Sequence, residues 1–449
     1  MIYPKRKIDH ISTRWTVQTV LFLLLVIPAF SFSQNWTLDQ CIDTALQNNL
    51  SLQSGRFQYQ KSEVELINSK QGLLPSLSGG ITHGYNWGQT IDLFTNQFAT
   101  SRVMYDNFFL SSSVTLFSGL QNYYGIQMNE LNVQTKMLEQ QVIERNVKID
   151  VAAAFLQVLL NKEVLELCEQ TTQKTQVQYD RIQELFLENQ TTKAKVQELD
   201  AQLQRDRYNQ TKAQNDLVYS TLLLQQVLNV PIRDNFTVSP SFGDFALDTL
   251  SSDSTTFPEI LKIETDIEKQ VYLIKSLKGR YYPTLILGGS LGSGYSGNNK
   301  ILTPSGEYVI RPFNEQVNDN FYQSVYATLS IPIFNKNGTR NQVKIRELEL
   351  KELDVNKQST YNELEQKLAQ LKVEISNSGT QLQSLEAVSQ SALLHFENSK
   401  LLFETGNNTA AELEEAKNKL FNAQSDLLQT EYQLLFKKII LGFYLSSDN

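Results

Sequence analysis

Apolar residues recur at three- and four-residue steps between Thr339 and Thr405, a span without proline and with Gly379 as its only glycine. This spacing is typical of one face of a long α-helix. A turn at residues 405–408 leads into a second helical pattern over residues 409–447. At 1.5 Å per residue the first helix is expected to be roughly 100 Å long. An ordinary globular core needs no rod of that length, so the function is expected to follow from what the helix spans.

Four other segments alternate between apolar and small polar residues with period two, the pattern of β-strands. They lie at about residues 75–88, 107–118, 284–296 and 321–334. Strands of about ten residues with this alternation are typical of outer-membrane β-barrels. A small soluble antiparallel sheet with one wet face gives the same periodicity. The export signal described below favours the membrane interpretation.

The order helix, strand, strand, long helix, turn and helix occurs twice, with a period of about 217 residues. The first copy covers residues 34–230 and the second covers residues 257–449. Residues 231–256, rich in Ser, Asp and Thr, are interpreted as a linker. We therefore predict two structural repeats.

Four residues stand where the predicted helices join the strands, namely Pro75, Gly119, Pro283 and Gly338. Proline cannot continue a helix interior, and glycine eases a change in backbone direction. Since known single-chain barrels begin at about eight strands, four strands must be shared among several protomers. The predicted fold is a membrane α+β protein in which a shared barrel continues into a wall of long helices. Glutamines on the helices are expected to line a wet interior, namely Gln140, Gln141, Gln366 and Gln370.

Residues 1–33 have the organisation of a signal peptide. Four basic residues precede an apolar run from Val17 to Phe30, and Ser31 and Ser33 follow it. The run is too short for a comfortable transmembrane helix, although a retained membrane anchor is the alternative. The formal net charge of the whole chain is −8. An acidic exported chain is a poor candidate for nucleic-acid binding.

The sequence contains no recognisable catalytic or metal-binding constellation. The three histidines are isolated from one another, and Cys41 and Cys168 make neither a disulfide framework nor a zinc site. Residues 292–297 match the pattern G-x-G-x-x-G, but no helix is predicted after them, so no phosphate site is built. We expect no enzyme activity, no cofactor and no metal.

The doubled module and the segment FETGNNTAAELEEAKNKLFNAQ at residues 403–424 resemble the TolC family of outer-membrane efflux and secretion channels. The resemblance covers essentially the whole mature chain. It implies a homotrimer with a twelve-stranded barrel in outer-membrane lipid, extending into a periplasmic helical tunnel. It also implies a periplasmic adaptor (membrane fusion) protein and an inner-membrane RND or ABC transporter as partners, with no nucleic acid.

The resemblance predicts the outer-membrane channel of a tripartite efflux pump. One alternative is the exit duct of a type I protein secretion system. The other is an exported coiled-coil protein that forms no channel, such as a structural spacer or an adhesin stalk. That last class explains the long helices but not two alternating hairpins at matched places in the chain.

The resemblance further implies that acidic residues after the second turn form rings at the periplasmic entrance. The matching residues are Glu412 and Glu415, three positions apart on one helix face. In a trimer, like charges at this spacing are expected to raise some carboxyl pKa values and to favour cations. The alternative is that both are ordinary acids in the first turns of a helix, favoured by its dipole.

The family's hairpin-tip contacts correspond to Phe403 and Asn408, on either side of Gly406, with Ala194 and Lys195 in the first repeat. The fit is poor. Phe403 has no hydroxyl, Asn408 has no positive charge, and Lys195 has the opposite sign to the usual acid. Lys195 is expected instead to pair with Glu412 or Glu415.

Overall fold

The computed structural model describes residues 35–92, 94–99, 102–240 and 257–445. The predicted signal peptide and residues 241–256 of the predicted linker lie outside this part of the chain. The chain divides into two compact units. The hairpin unit comprises Met1–Ala45, Val151–Phe245 and Leu385–Tyr432, and the sheet unit comprises Leu46–Asp150, Ala246–Ser384 and Gln433–Asn449.

Helices dominate both halves of the chain. In chain order they are α1 (Leu38–Asn48), α2 (Leu50–Gln71), α3 (Gln121–Leu187), α4 (Lys193–Leu228), α5 (Pro258–Lys278), α6 (Phe313–Asp319), α7 (Gly338–Glu404) and α8 (Ala410–Leu445). Helices α3 and α7 each have 67 residues, and α4 and α8 each have 36, so the two halves carry helices of matched length. None of the helices in the described ranges has the length and apolar character that crossing a bilayer requires.

The single helix predicted before the first strand is in fact two helices, α1 and α2, which are separated at Asn49. Its backbone is extended, with φ −65° and ψ 124°, and its side-chain oxygen accepts hydrogen bonds from the N–H groups of Ser51 and Leu52. This is N-cap geometry. Apolar periodicity alone missed the break because capping depends on one side chain, not on the pattern around it.

The four long strands are β2 (Ser76–Asn86), β5 (Val103–Ser118), β7 (Thr284–Ser296) and β10 (Tyr322–Ser330). They form one antiparallel sheet in the order β10-β7-β5-β2. The central pair joins the two halves of the chain, since β5 precedes the predicted linker and β7 follows it. The last strand ends before Pro332, which has no N–H for the ladder.

The remaining strands are short. The segments between the long strands contain hairpins of β3 (Thr90–Ile91) with β4 (Phe98–Ala99) and of β8 (Lys300–Leu302) with β9 (Tyr308–Ile310). A parallel pair joins β1 (Asn35–Trp36) to β6 (Thr237–Val238) within the hairpin unit. These pairs are too short for period-two alternation to indicate them.

The sheet has two chemically different faces, because residues paired across strands lie on the same side. On the small-residue face, four serines form one row across all four strands, namely Ser78, Ser111, Ser290 and Ser324. Each of four glycines on this face lies under an aromatic ring of its cross-strand partner. The pairs are Gly80 with Phe109, Gly84 with Tyr105, Gly288 with Tyr326, and Gly292 with Tyr322.

The opposite, apolar face is largely uncovered in the single chain, although Phe313 of α6 packs against Phe108 and Tyr295 at one end of it. It includes Leu77, Ile81 and Val325, whose exposed fractions are 71, 76 and 83%. Leu110 and Leu291 lie on the same face and are also exposed. An apolar patch of this kind marks a surface that meets a membrane or another protein.

The two strand-to-helix junctions differ in detail. Gly119 and Leu120 both have a φ of +63°, and a Cβ at Gly119 would collide with the carbonyl oxygen of Gly279. In the second half of the chain the positive φ values belong instead to Lys336 (+55°) and Asn337 (+60°). Gly338, expected to ease the turn, is simply the first residue of α7. Pro75 and Pro283 each lie just before a strand, at the ends of the segments that follow α2 and α5.

Thin apolar clusters lie between the helices of each unit. In the hairpin unit, α7 packs against α8 through Phe396, Leu413, Ala416 and Leu420. In the sheet unit, Ile260 packs with Leu364, Leu371 and Tyr444. Such clusters are what narrow apolar stripes on long helices produce.

Candidate gate at the helix turns

The turn between α3 and α4 is a Schellman motif. Asn189 has a left-handed φ of +61°, and its N–H donates to the carbonyl oxygen of Phe186 at 3.0 Å. The N–H of Gln190 donates to the carbonyl oxygen of Leu185 at 2.8 Å. These two bonds satisfy carbonyl groups that the helix end leaves without partners.

The turn between α7 and α8 has the same geometry. Gly406 has a φ of +80°, and its N–H donates to the carbonyl oxygen of Phe403 at 3.1 Å. The N–H of Asn407 donates to Leu402 at 2.9 Å. Among the described residues, no atom lies near the position of a Cβ at Gly406, so the glycine is required by the backbone conformation and not by crowding.

Glu412 forms a capping box with Thr409 at the start of α8. Its carboxylate accepts hydrogen bonds from the N–H of Thr409 at 2.8 Å and from the Thr409 hydroxyl at 2.9 Å. The Glu412 N–H donates back to that hydroxyl at 3.3 Å. The backbone bond first, and the hydroxyl bond second, lower the pKa of Glu412 below its ordinary value. Within one chain, Glu412 therefore acts as a helix cap.

Glu415 is exposed and forms a salt bridge with Lys419, at 2.7 Å between the ammonium nitrogen and a carboxylate oxygen. The hydrogen bond from Lys419 lowers the pKa of Glu415, and the nearby charge of Glu412 opposes this as a smaller effect. Both carboxylates are thus ionised near neutral pH in one chain. The rise in pKa expected for rings of acids requires neighbouring copies.

Lys195 contacts an aromatic ring and not an acid. Its ammonium nitrogen lies 5.8 Å from the centroid of the Phe403 ring, within cation–π range. Among the described residues, no salt bridge joins Lys195 to Glu412 or Glu415. The expected pairing is therefore wrong for the single chain, because those two carboxylates already bind Thr409 and Lys419.

The other predicted tip residues are ordinary parts of the turns. Phe403 packs against the apolar cluster between α7 and α8. Ala194 is exposed in the first turn of α4, and Asn408 is partly buried just before α8 begins. In the single chain Phe403 and Lys195 contact each other. Among the described residues, no side-chain contact of this kind joins Ala194 or Asn408 to the other turn.

A buried polar cluster near these turns was missed by sequence reasoning. The Lys417 ammonium group lies 2.5 Å from a carboxylate oxygen of Asp206 and 2.9 Å from the hydroxyl oxygen of Thr175. Gln202 donates to the second oxygen of Asp206 at 3.0 Å. The exposed fractions of the Lys417 and Asp206 side chains are only 11 and 5%. This Lys417–Asp206 cluster therefore joins α4 to α8 through a desolvated ion pair, and it joins α3 to them through the Thr175 hydroxyl.

Burial lowers the pKa of Lys417, and the hydrogen bond that its ammonium group donates to Asp206 partly opposes that effect. A signal for the cluster was present in the sequence. Lys417 lies between Leu413 and Leu420 on the apolar stripe of α8, and Asp206 follows Leu199 and Leu203 on that of α4. A charge within an apolar stripe is expected to be paired.

Exposed ion pairs join the same helices. Arg205 on α4 binds Glu414 on α8 at 2.7 Å, and Arg181 on α3 binds Glu404 on α7 at 3.4 Å. Because the arginines are more than half exposed, each pair stabilises the fold only slightly. Within the described ranges, no group of three His, Cys, Asp or Glu side chains converges as a metal site would require.

Comparisons with known proteins agree on the class of the fold. The model of the outer membrane efflux protein family matches residues 256–444. A search of curated proteins gave no match. Crystal structures of CusC are similar with a TM-score of 0.77 and 16% identity, over 91% of this chain and 92% of the other.

Two further channels are similar over most of their length. The Campylobacter jejuni CmeC outer membrane channel has a TM-score of 0.74 and 16% identity, covering 90% of this chain and 85% of the other. The open state of the Neisseria gonorrhoeae MtrE outer membrane channel has a TM-score of 0.70 and 15% identity, covering 91 and 88%. At such identities the similarity shows the fold alone.

Proposed function

We propose that the chain is a member of the outer membrane efflux protein family, whose model matches residues 256–444, and that it is the outer-membrane channel of a tripartite efflux pump. Its location is the outer membrane. The observation that carries the proposal is the four-stranded sheet, which has one largely uncovered apolar face and is joined directly to helices of 67 residues. In this role the chain is a transporter and not an enzyme.

The sheet argues for a homotrimer. Strands β2 and β10 are edge strands within the chain, and an edge in lipid leaves backbone groups unsatisfied at several kcal/mol each. Three copies supply twelve strands, enough to close a barrel. The apolar face then meets outer-membrane lipid, and the small-residue face lines the lumen.

In the proposed channel the long helices form a periplasmic tunnel with the helix turns at its entrance. Six carboxylates, from Glu412 and Glu415 of three protomers, then surround the opening and favour cations. The capping bonds of Glu412 do not conflict with this role, because a carboxylate that is kept ionised remains a fixed negative charge.

We assign a periplasmic adaptor protein and an inner-membrane RND or ABC transporter as the partners, from the family resemblance. The exit duct of a type I protein secretion system has the same architecture and remains the second candidate. Co-purification from cross-linked cells distinguishes the two. An RND pump in the complex supports efflux, and an ABC exporter that carries a protein substrate supports secretion.

Planar-bilayer recording of the purified full-length protein tests the channel itself. We expect discrete, cation-preferring conductance from a trimer that migrates differently before and after heating. A protein that stays soluble without detergent and never conducts would instead be a spacer or stalk.

The acid ring is tested by the double variant Glu412→Gln/Glu415→Gln, which should weaken the cation preference measured as a reversal potential. Glu386→Gln/Glu397→Gln removes the same number of charges from exposed positions of α7 and serves as the matched control. Equal selectivity of the two double variants would refute the ring but not the channel.

A further inference from the structure

The segment between β2 and β5 lies at the end of the sheet opposite to the strand-to-helix junctions. Strand β2 begins just after Pro75 and ends at Asn86, and β5 begins at Val103 and ends just before Gly119. Within this segment the β3–β4 hairpin is closed by the Asp92 N–H, which donates to the carbonyl oxygen of Gln97 at 3.0 Å. This end of the sheet is therefore capped by a folded turn.

Asp92 holds this turn against the sheet. Its carboxylate is buried, with 3% of the residue exposed, and accepts hydrogen bonds from the N–H of Phe94 at 3.0 Å and of Thr95 at 3.4 Å. The other carboxylate oxygen accepts a hydrogen bond from the Ser296 hydroxyl, at the end of β7. The backbone of Phe94 is thereby tied to β7.

Gln316 fixes Ser296 in turn. The Ser296 N–H donates to the Gln316 side-chain oxygen at 3.0 Å, and the Gln316 amide donates to the carbonyl oxygens of Ser296 at 3.1 Å and Arg311 at 2.9 Å. Ser296 and Gln316 are both fully buried. Since burying polar groups is costly unless all are bonded, this network is a rigid clamp.

The clamp holds the Phe94 ring over the small-residue face. The ring lies against Gly294, where any side chain would overlap it. It borders an open cavity of about 610 Å³. The other residues that line the cavity are Thr82, Tyr105, Asn107, Asn320 and Tyr322. Of these, Thr82 in β2 and Tyr105 and Asn107 in β5 belong to the small-residue face.

A partly exposed phenylalanine on a polar face contributes little to a core, yet a buried carboxylate is used to position it. We propose that Phe94 of each protomer narrows the outer end of the lumen and excludes bulky hydrophilic molecules. This inference rests on the proposed function, in which the small-residue face lines the channel. The proposed constriction lies away from the strand-to-helix junctions, because Phe94 belongs to the segment that joins the other ends of β2 and β5.

Size-graded thiol labelling on intact cells tests the constriction independently of the periplasmic entrance. A reporter cysteine replaces Ser111, in the serine row below Phe94, and maleimides carrying polyethylene glycol of increasing size are added from outside. The native Cys41 and Cys168 are buried, and burial raises both thiol pKa values, so they contribute no background.

In the Ser111→Cys protein we expect small maleimides to react and large ones to be excluded. Adding Phe94→Ala should shift the size limit to larger reagents, and adding Phe94→Trp should shift it to smaller ones. Phe98→Ala is the matched control, because Phe98 lies in the same turn, is 75% exposed and does not line the cavity. Heat-modifiable trimer on the gel shows that each variant has folded.

A size limit that stays the same in both Phe94 variants overturns the constriction and leaves the channel intact. If even the smallest reagent fails to label Ser111→Cys in folded trimer, the assignment of the small-residue face to the lumen fails, and the proposed function fails in that respect. The two failures are therefore distinguishable.

Discussion

Replacing Lys417 with methionine should loosen the hairpin unit. The substitution keeps most of the volume but removes the ammonium group that binds both Asp206 and Thr175. It leaves the Asp206 carboxylate, with 5% of its side chain exposed, to the amide of Gln202 alone. An uncompensated buried charge is the expected result.

Breaking a buried pair by removing one partner costs about 3–5 kcal/mol. Because both side chains are almost fully enclosed, solvent screening does not reduce this figure greatly. A loss of 3 kcal/mol corresponds to an opening equilibrium increased by about 100-fold. The double variant Lys417→Met/Asp206→Leu removes both charges and is expected to be near neutral or stabilising.

Native-state hydrogen exchange of the purified protein measures this directly. Amides around Leu413 and Leu420 in α8, and around Leu203 in α4, should exchange about 100-fold faster in Lys417→Met, since these residues flank the pair. The double variant should recover the slow exchange. Lys419→Met is the control, because it breaks an exposed pair with Glu415 that stabilises the fold only slightly.

If Lys417→Met exchanges no faster than Lys419→Met, the buried ion pair does not stabilise the hairpin unit as stated. If the double variant is as unstable as the single one, the lost stability comes from lost packing and not from the unpaired carboxylate.

Three further predictions concern the junctions, the cap and the cysteines. Gly119→Ala should lower the free energy of unfolding by more than about 1 kcal/mol and reduce the yield of folded protein, because φ at this position is positive and the added Cβ meets the Gly279 carbonyl oxygen. Gly338→Ala, at the first residue of α7 with open space around it, should be tolerated. The pKa of Glu412 is lowered in the folded chain, so its contribution to the stability of the helix end is complete above the ordinary carboxyl pKa of 4.5 and is lost as the pH falls below that value. Hydrogen exchange of the backbone amides at the start of α8 should therefore accelerate in acid beyond the intrinsic effect of pH. Glu412→Gln should abolish this pH dependence. Burial raises the pKa of Cys41 to about 12, so iodoacetamide at neutral pH should label it only after denaturation, and labelling of the native protein would contradict its placement.

The long elements followed from local pattern. Helix α7, Gly338–Glu404, covers the stretch where apolar residues recur with helical spacing and proline is absent. Strand β7, Thr284–Ser296, covers a stretch with period-two alternation. Both patterns are visible without a structure because they reflect which face of one element is buried. The turn at Gly406 could also be predicted from local sequence, since the left-handed backbone conformation at the end of a helix favours glycine.

Single side chains decide where helices break and turn, and hydrophobic periodicity does not predict these positions. The cap formed by Asn49 divides a helical stretch into α1 and α2, and a left-handed Lys336 and Asn337 form the second junction in place of Gly338. At the candidate gate, the sequence located Glu412 and Glu415 but not their partners. Thr409 and Lys419 hold them within the chain, and the ring of carboxylates is a property of the proposed trimer.

Tertiary structure alone decided which distant residues meet. Asp206 and Lys417 are 211 positions apart, and they share one buried site because α4 and α8 lie side by side. Phe94 reaches Gly294 because β5 pairs with β7, which comes from the other half of the chain. Hydrophobic periodicity is a local property and fixes which face of an element turns inwards, whereas the choice of partner depends on the packing of all elements together. The sequence by itself therefore determined the long helices and the long strands, and the packing decided where the buried charges and the Phe94 ring lie.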